Sequence, residues 1–307
     1  MQMIKHNITY GGIMFIPNDV RAILDTLKIN GYEGYIVGGS VRDATMGTFP
    51  KDYDITTNAL PEVITKIFYK TIPTGIKHGT ITVMINAVGY EVTTYRIDGE
   101  YLDNRRPSGV TFVSSLEEDL ARRDFTINAL AYNAQDGLID YFGGIRDLEN
   151  KIIRAVGEPD KRFKEDALRM LRAIRFAASL DFDIEEKTML AIKNNYNLIS
   201  NISNERIRDE LFKMLVSNNT TKALKLLEET KLLQVILPEL QLSVGFNQQN
   251  PHHDKDIFSH ILVVVEKCPP VLNIRMAALL HDIAKPDCFT IDASGIDIFM
   301  VMIKKEL

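Results

Sequence analysis

Two aspartates, Asp52 and Asp54, share one parity in the stretch KDYDIT, so in an extended chain both carboxylates project from one face while Tyr53 turns away. Side-by-side carboxylates repel each other. A hard divalent cation such as Mg²⁺, which takes carboxylate oxygens together with substrate phosphates, relieves that repulsion. Upstream, VGGSVRD sets Gly38 and Gly39 ahead of a helix start. Glycines let backbone N–H groups approach a ligand, and the helix that follows turns its positive end to the same place. Arg42, in its first turn, can offer an anion a planar fork. Each motif alone is as well explained by a tight turn or a solvated strand edge. Spaced across one strand, turn and strand, they describe a triphosphate held beside a metal pair, the geometry for in-line attack on phosphorus with pyrophosphate leaving.

GGSVRD followed by KDYDIT resembles the signature of the nucleotidyltransferase superfamily in its class II tRNA nucleotidyltransferase and bacterial poly(A) polymerase branch. RRDFTINALAY at Arg122 and EDALRMLRAIRFAASL at Glu165 match the same family, and the shorter GLIDYFGG and ERIRDEL fit it. The resemblance runs from residue 13 to 290 or so. It implies a CCA-adding enzyme that extends the tRNA 3′ end with CTP and ATP and uses no nucleic-acid template. Asp52 and Asp54 are then the catalytic pair and the ligands of two Mg²⁺ ions, with Glu91 of YEVTTYR as a third carboxylate. Gly39, Ser40, Arg42 and Arg123 bind nucleotide, while Asp124 and Asn128 organise the site. The nucleophile is the terminal 3′ hydroxyl of the RNA. Within the same class, a poly(A) polymerase or an enzyme adding only CC or only A shares these motifs.

The motif EDALR offers a way to choose the base. Asp166 and Arg169 are three residues apart in a helical pattern, which places their side chains on one face. Cytosine and adenine both present an exocyclic amine beside an unprotonated ring nitrogen, so an aspartate accepts from the amine while an arginine donates to the nitrogen. Uracil and guanine present the reverse order, and a site built on buried polar groups rejects such analogues by roughly 10⁴ or more. Arg172 and Arg175 continue the face toward phosphate or base. Without the upstream motifs, the same residues read as a surface ion pair worth at most about 0.5 kcal/mol.

His260 and the pair His281–Asp282 in AALLHDIAKP resemble the start of an HD domain, whose active members bind a metal for phosphoester hydrolysis. A metal phosphohydrolase is therefore the reading from another class, beside a helical RNA-binding body that merely retains the HD shape. After FTIDASG the pattern would continue in the style of HFYGHDKKGA, whereas this chain reads IFMVMIKKEL. Deleting the first nucleotide of a coding sequence for HFYGHDKKGA yields codons for IFMVMIKKEL. A frameshift after Asp297 is expected on that ground, with the HD-like part incomplete, and a catalytically impaired fragment that still binds nucleotide or RNA is a third reading.

These motifs need elements to position them. A helix over NDVRAILDTLKINGYE leads into a strand at YIVGG, and a second strand is expected at YDITTNA, then a Pro-started helix and a hairpin over TITVMINAVGYEVTTYR. IDGEYLDNRRPSGVTF reads as a surface loop, LEEDLARRDFTINALAYNA as a helix against the sheet and LIDYFGG as a last strand. Helical periodicity then fills 159–180, 184–200, 204–217 and 220–237, with Asn204 as a cap, and resumes at DIFSHILVVVEK and NIRMAALLHDIAK. The expected class is α+β: a nucleotidyltransferase head of mixed sheet and helices at 13–157, a base-reading and RNA-binding helical neck at 158–242, and an HD-like helical part at 252–307.

Composition fits this frame. With 45% hydrophobic and 25% charged residues over 307 positions, the chain can bury a substantial core. Its longest aliphatic run, ILVVV, falls far short of the roughly 20 residues a membrane helix requires. The first residues carry no apolar signal core, so a cytoplasmic location without membrane partners is expected. Cys268 and Cys288 have no metal-ligand spacing. The net charge of −5 leaves a polyanion to local clusters, of which KRFKEDALRMLRAIRF is the clearest.

Overall fold

The computed structural model describes residues 14–99, 109–246, 256–291 and 297–299. The chain divides into two compact units between Asp166 and Ala167, and the architecture is α+β, a mixed sheet with helices in the first unit and mainly helices in the second. Among the described residues, no helix is long and apolar enough to cross a membrane.

In the first unit, α1 (Asn18–Ile29) buries Val20, Ile23 and Leu27, the three- and four-residue spacing of one helical face. It is followed by β1 (Tyr35–Val37), α2 (Gly39–Thr45), β2 (Asp54–Thr57), α3 (Pro61–Ile67), β3 (Thr71–Gly75), β4 (Thr80–Ile85) and β5 (Val88–Thr94). Asn86 and Ala87, both at positive φ, turn the β4–β5 hairpin. After β6 (Arg96–Asp98) and β7 (Val110–Phe112) come α4 (Leu116–Ala121), β8 (Leu130–Asn133), β9 (Gly137–Asp140), α5 (Gly144–Glu149) and α6 (Pro159–Glu165). The seven-stranded sheet has the order β3-β4-β5-β2-β1-β8-β9. β2 pairs antiparallel with β1, opposing Val37 to Asp54, and parallel with β5, opposing Ile55 to Val92. That register brings the glycine turn after β1 and the aspartate that opens β2 to one end of these central strands. On one sheet face, Leu116 and Leu120 of α4 pack with Tyr35, Val37, Tyr95 and Ala131.

Several expectations need correction. LEEDLARRDFTINALAYNA is not one helix: α4 stops at Ala121, Thr126–Asn128 makes a single 3₁₀ turn, and Leu130–Asn133 is β8, paired with both β1 and β9. Leu130 and Ala131 are fully buried there, and a short buried apolar run has no periodicity that separates helix from strand. The segment taken as a loop has paired flanks, β6 with β7, while 100–108 lie outside the described residues. So do 247–255 and the tail from Met300.

The second unit contains α7 (Leu168–Leu180), α8 (Glu186–Asn195), α9 (Asn204–Leu215), α10 (Thr220–Glu229), α11 (Leu233–Ile236), α12 (Pro238–Gln241), α13 (Ile257–Lys267) and α14 (Leu272–Leu280). Ser203 rather than Asn204 occupies the cap position of α9. The pattern over 220–237 is cut after α10, with Lys231 at positive φ. α7 is buried on most of its circumference and packs against α9 and α10. Its Arg175 donates to Glu210 of α9 and lies over the Phe176 ring, 4.0 Å from the centroid. Lys213 reaches the other oxygen of Glu210 at 3.1 Å. Arg275 of α14 is buried and donates to Leu215 O and Ser217 O, each at 2.6 Å, tying α14 to the end of α9.

Burial alone would raise the Glu210 carboxyl, but Arg175 and Arg172 hold it below its ordinary value of 4.5. Its stabilising contribution is therefore complete above pH 4.5 and is lost as pH falls through the lower folded-state value. Glu210→Gln leaves the Arg175 guanidinium without its buried counter-charge and should cost about 3–5 kcal/mol in urea unfolding at neutral pH, a deficit that shrinks toward acid.

Candidate functional site

Gly38, at φ 73° and ψ −135°, joins β1 to α2. A Cβ there would lie 3.2 Å from Arg123 Nη1 and 3.9 Å from Asp54 Oδ2, so the position needs glycine both for its backbone and for the guanidinium beside it. Asp54 is the exposed first residue of β2, whose other three residues are buried. Asp52 lies in the segment just ahead of the strand rather than inside it. The parallel pairing of β2 with β5 sets Glu91 beside Asp54. Asp52, Asp54 and Glu91 thus line one groove of about 610 Å³ together with Lys51, Tyr53 and Tyr90.

The electrostatics of the groove are those of crowded carboxylates. Burial raises the Asp54 carboxyl, Arg123 opposes that rise, and the neighbouring Asp52 adds to it. Glu91 is raised by burial and by the charge of Asp54. A positive ion in the groove would relieve both.

Behind the groove, Arg123 Nη2 is 3.5 Å from Asp119 Oδ2. Asp119, fully buried on α4, accepts from Arg122 Nε at 3.0 Å and Nη2 at 2.8 Å, from the Thr56 hydroxyl at 3.1 Å and from the Arg96 backbone N–H at 3.3 Å. Asp119 and Thr56 escaped the motif reading. The signal lay in LEEDLARR, where Asp119 precedes Arg122 and Arg123 by three and four residues, the helical spacing for ion pairs.

Arg42 differs from Arg123 in what it touches. Its buried guanidinium donates to Asn128 Oδ1 at 2.7 Å and to Asp43 Oδ1, contacts that fasten α2 to the RRDFTIN segment. Asn128 in turn donates to Asp124 Oδ1 at 3.0 Å, and that oxygen also accepts the Phe125 N–H. The Ser40 hydroxyl donates to Val37 O at 3.0 Å and Gly39 sits against the Arg42 guanidinium, which shapes the turn from inside.

The base-reading pair does not share a helix. α6 ends at Glu165, Asp166 is extended at φ −138° and ψ 104°, and α7 begins at Leu168, so Asp166 stands at a break and Arg169 in the first turn beyond it. Aspartate is a poor residue for a helix interior and takes such extended dihedrals readily ahead of a helix start. Arg169 is buried on α7, and Arg172 lies 5.5 Å from the Phe176 centroid.

His260 on α13 and His281–Asp282 just past α14 come together. Their ligand atoms all lie within 4.8 Å of one another, with His281 Nε2 3.2 Å and His260 Nε2 3.6 Å from Asp282 Oδ2. Lys285 Nζ contacts the same oxygen at 2.7 Å.

Residues 34–154 match the family model described as the poly A polymerase head domain, and residues 181–243 match the probable RNA and SrmB-binding site of polymerase A. The CCA-adding enzyme of Lactobacillus helveticus is 46% identical over 256 residues, 80% of this chain and 62% of that protein, so the chain spans about three fifths of the length of this curated relative. The solved CCA-adding enzyme of Bacillus stearothermophilus in complex with CTP superposes with a TM-score of 0.66 at 38% identity, covering 88% of this chain and 71% of that one. The Thermotoga maritima CCA-adding enzyme complexed with tRNA gives a TM-score of 0.65 at 25% identity over 87% of this chain and 63% of that one. The chain belongs to the family of class II CCA-adding enzymes and poly(A) polymerases.

Proposed function

We propose that this chain is a tRNA nucleotidyltransferase of the cytoplasm that adds C, C and A to the 3′ end of tRNA from CTP and ATP. The observation that carries this reading is the groove in which Asp52, Asp54 and Glu91 face one another beside Gly38 and Arg123. The resemblance to enzymes solved with CTP and with tRNA supports it. The RNA 3′ hydroxyl gives up its proton to solvent as its oxygen forms the new bond to the α-phosphorus, the bond from that phosphorus to the bridging β-phosphate oxygen breaks, and pyrophosphate leaves with the electron pair. Asp52, Asp54 and Glu91 have the hard oxygen donors, and Asp54 and Glu91 the raised carboxyls, that suit a pair of divalent cations, which when bound supply charge neutralisation at the phosphates and lower the pKa of the attacking hydroxyl. Arg123 faces the triphosphate across the glycine. Asp166 and Arg169 are assigned to base selection, and Arg172 and Arg175 to the same arginine-lined helix. We assign residues 13–157 to the head, 158–242 to the neck and 252–307 to an HD-like part.

A second reading has its own observation, the convergence of His260, His281 and Asp282. Two imidazoles and a carboxylate suit a transition metal, and such a site would release phosphate from nucleotides or phosphodiesters.

With tRNA lacking its CCA end, Mg²⁺ and single nucleotides, the chain should incorporate C and then A; long A tracts would instead identify a poly(A) polymerase, and nucleotide binding with no extension of any tRNA a binding role alone. Asp54→Ala should slow extension by about 10³-fold or more, ~4 kcal/mol of barrier, and a chelator should stop it in the unmodified chain. Gly38→Ala combines a backbone penalty of order 1–3 kcal/mol with displacement of Arg123, so calorimetry should show both a lower melting temperature and weaker CTP binding. Phosphate release that survives Asp52→Ala and disappears in His281→Ala would establish the second activity; release that follows Asp52 would refute it.

A further inference from the structure

Arg123 is an unusual arginine. Its Nε is buried with no hydrogen-bond partner among the described residues, its Nη2 has only the 3.5 Å contact to Asp119, and its Nη1 looks onto the Gly38 position. A guanidinium with so few anchors takes its orientation from the charges around it. Three carboxylates act on it: Asp119 behind, Asp54 in front and, more weakly, its neighbour Asp124.

We propose that Asp119 is a positioning residue for nucleotide binding, holding Arg123 back from Asp54 so that the guanidinium stays available to the phosphates of the incoming nucleotide. The proposal rests on the nucleotidyl-transfer reading of the groove. Three features carry it. Asp119 is fully buried, and its Oδ1 is taken by Arg122 and the Arg96 N–H, so the carboxylate cannot swing away. Its Oδ2 joins Arg123 to the hydroxyl of Thr56, two residues beyond Asp54 on the same strand, so one oxygen sets both the arginine and the strand whose first residue opposes it. Within the trio of Asp119, Arg122 and Arg123 the formal charges sum to plus one, the sign that suits a triphosphate, with Asp54 and Asp124 also acting on Arg123. Without Asp119, the carboxylate that draws Arg123 most strongly is Asp54. Closing that pair would neutralise a proposed metal ligand and withdraw the arginine from the nucleotide at once.

The test is a double-mutant cycle read by equilibrium binding of CTP and of ATP to the full chain without tRNA. Asp119→Asn should weaken binding about tenfold, the scale of a lost hydrogen bond to a charged group. Arg123→Ala should weaken it at least as much, and Asp119→Asn added to Arg123→Ala should cost nothing further, because Asp119 acts through Arg123. Wild-type affinity in Asp119→Asn, or losses that add in the double variant, would overturn the proposal while leaving the nucleotide site standing. Wild-type chain that binds neither nucleotide would overturn the site and the proposal together. If Asp119→Asn unfolds, Asp119→Asn/Arg122→Met keeps the same formal surplus charge and isolates Arg123: the tenfold loss is expected there too, and its absence counts against the proposal.

Discussion

The antiparallel register that sets Val37 opposite Asp54 is the constraint on which the site depends. In a sheet the side-chain period is two, so a slip of one residue would turn Asp54 into the protein interior and bring Ile55 to the groove. The register is secured from both faces. Ile36 and Ile55 are buried opposite each other, and Thr56 is pinned to Asp119 below the sheet. The parallel pairing of β2 with β5 then delivers Glu91 without any further element. A glycine, an aspartate and a glutamate from three separate stretches are thereby brought together by backbone pairing, with Asp52 in the segment that leads into β2.

What was legible in the sequence is what local chemistry determines. Gly38, Asp52 and Asp54 stand out because glycine and paired carboxylates have few reasons to sit at that spacing, and the β4–β5 hairpin follows from simple alternation. The break at Asp166 was hidden because apolar residues at Phe163, Ala167 and Met170 continue a helical period straight through it. β8 was hidden because its residues are buried in the middle of a sheet, where amphipathic contrast disappears. Asp119 was hidden in a run of acidic residues at a helix start, the place where such residues usually do no more than complement the helix dipole. Arg42 was legible only in part: it has the chemistry of an anion binder, and the tertiary structure adds its contacts with Asn128 and Asp43.

The helical unit gives the shorter motif ERIRDEL a physical meaning. Its Glu210 is the buried counter-charge of Arg175, which belongs to the longer arginine-bearing motif on α7. The two motifs are halves of one packing contact, and Arg172 and Arg175 are arranged along α7 partly by what Glu210 and Phe176 impose. A positively charged helix face can be kept in order this way without surrendering all of its charge, because a single carboxylate serves several cations.

Arg275 carries a consequence for where this protein can be cut. The last carbonyls of a helix have no partner within it. At the end of α9, Leu215 O, and Ser217 O just beyond it, accept from the Thr220 hydroxyl and from a guanidinium that arrives from α14, 60 and 58 residues later in the chain. α9 is therefore capped partly from a distant helix. A fragment ending at residue 243, the limit of the RNA-binding match, would keep Glu210, its arginine and the Thr220 hydroxyl that also donates to both carbonyls, and would lose the charged donor of Arg275. Cutting there removes a buried guanidinium contact between α9 and α14, so the helices before residue 243 should be less stable without α14 than with it.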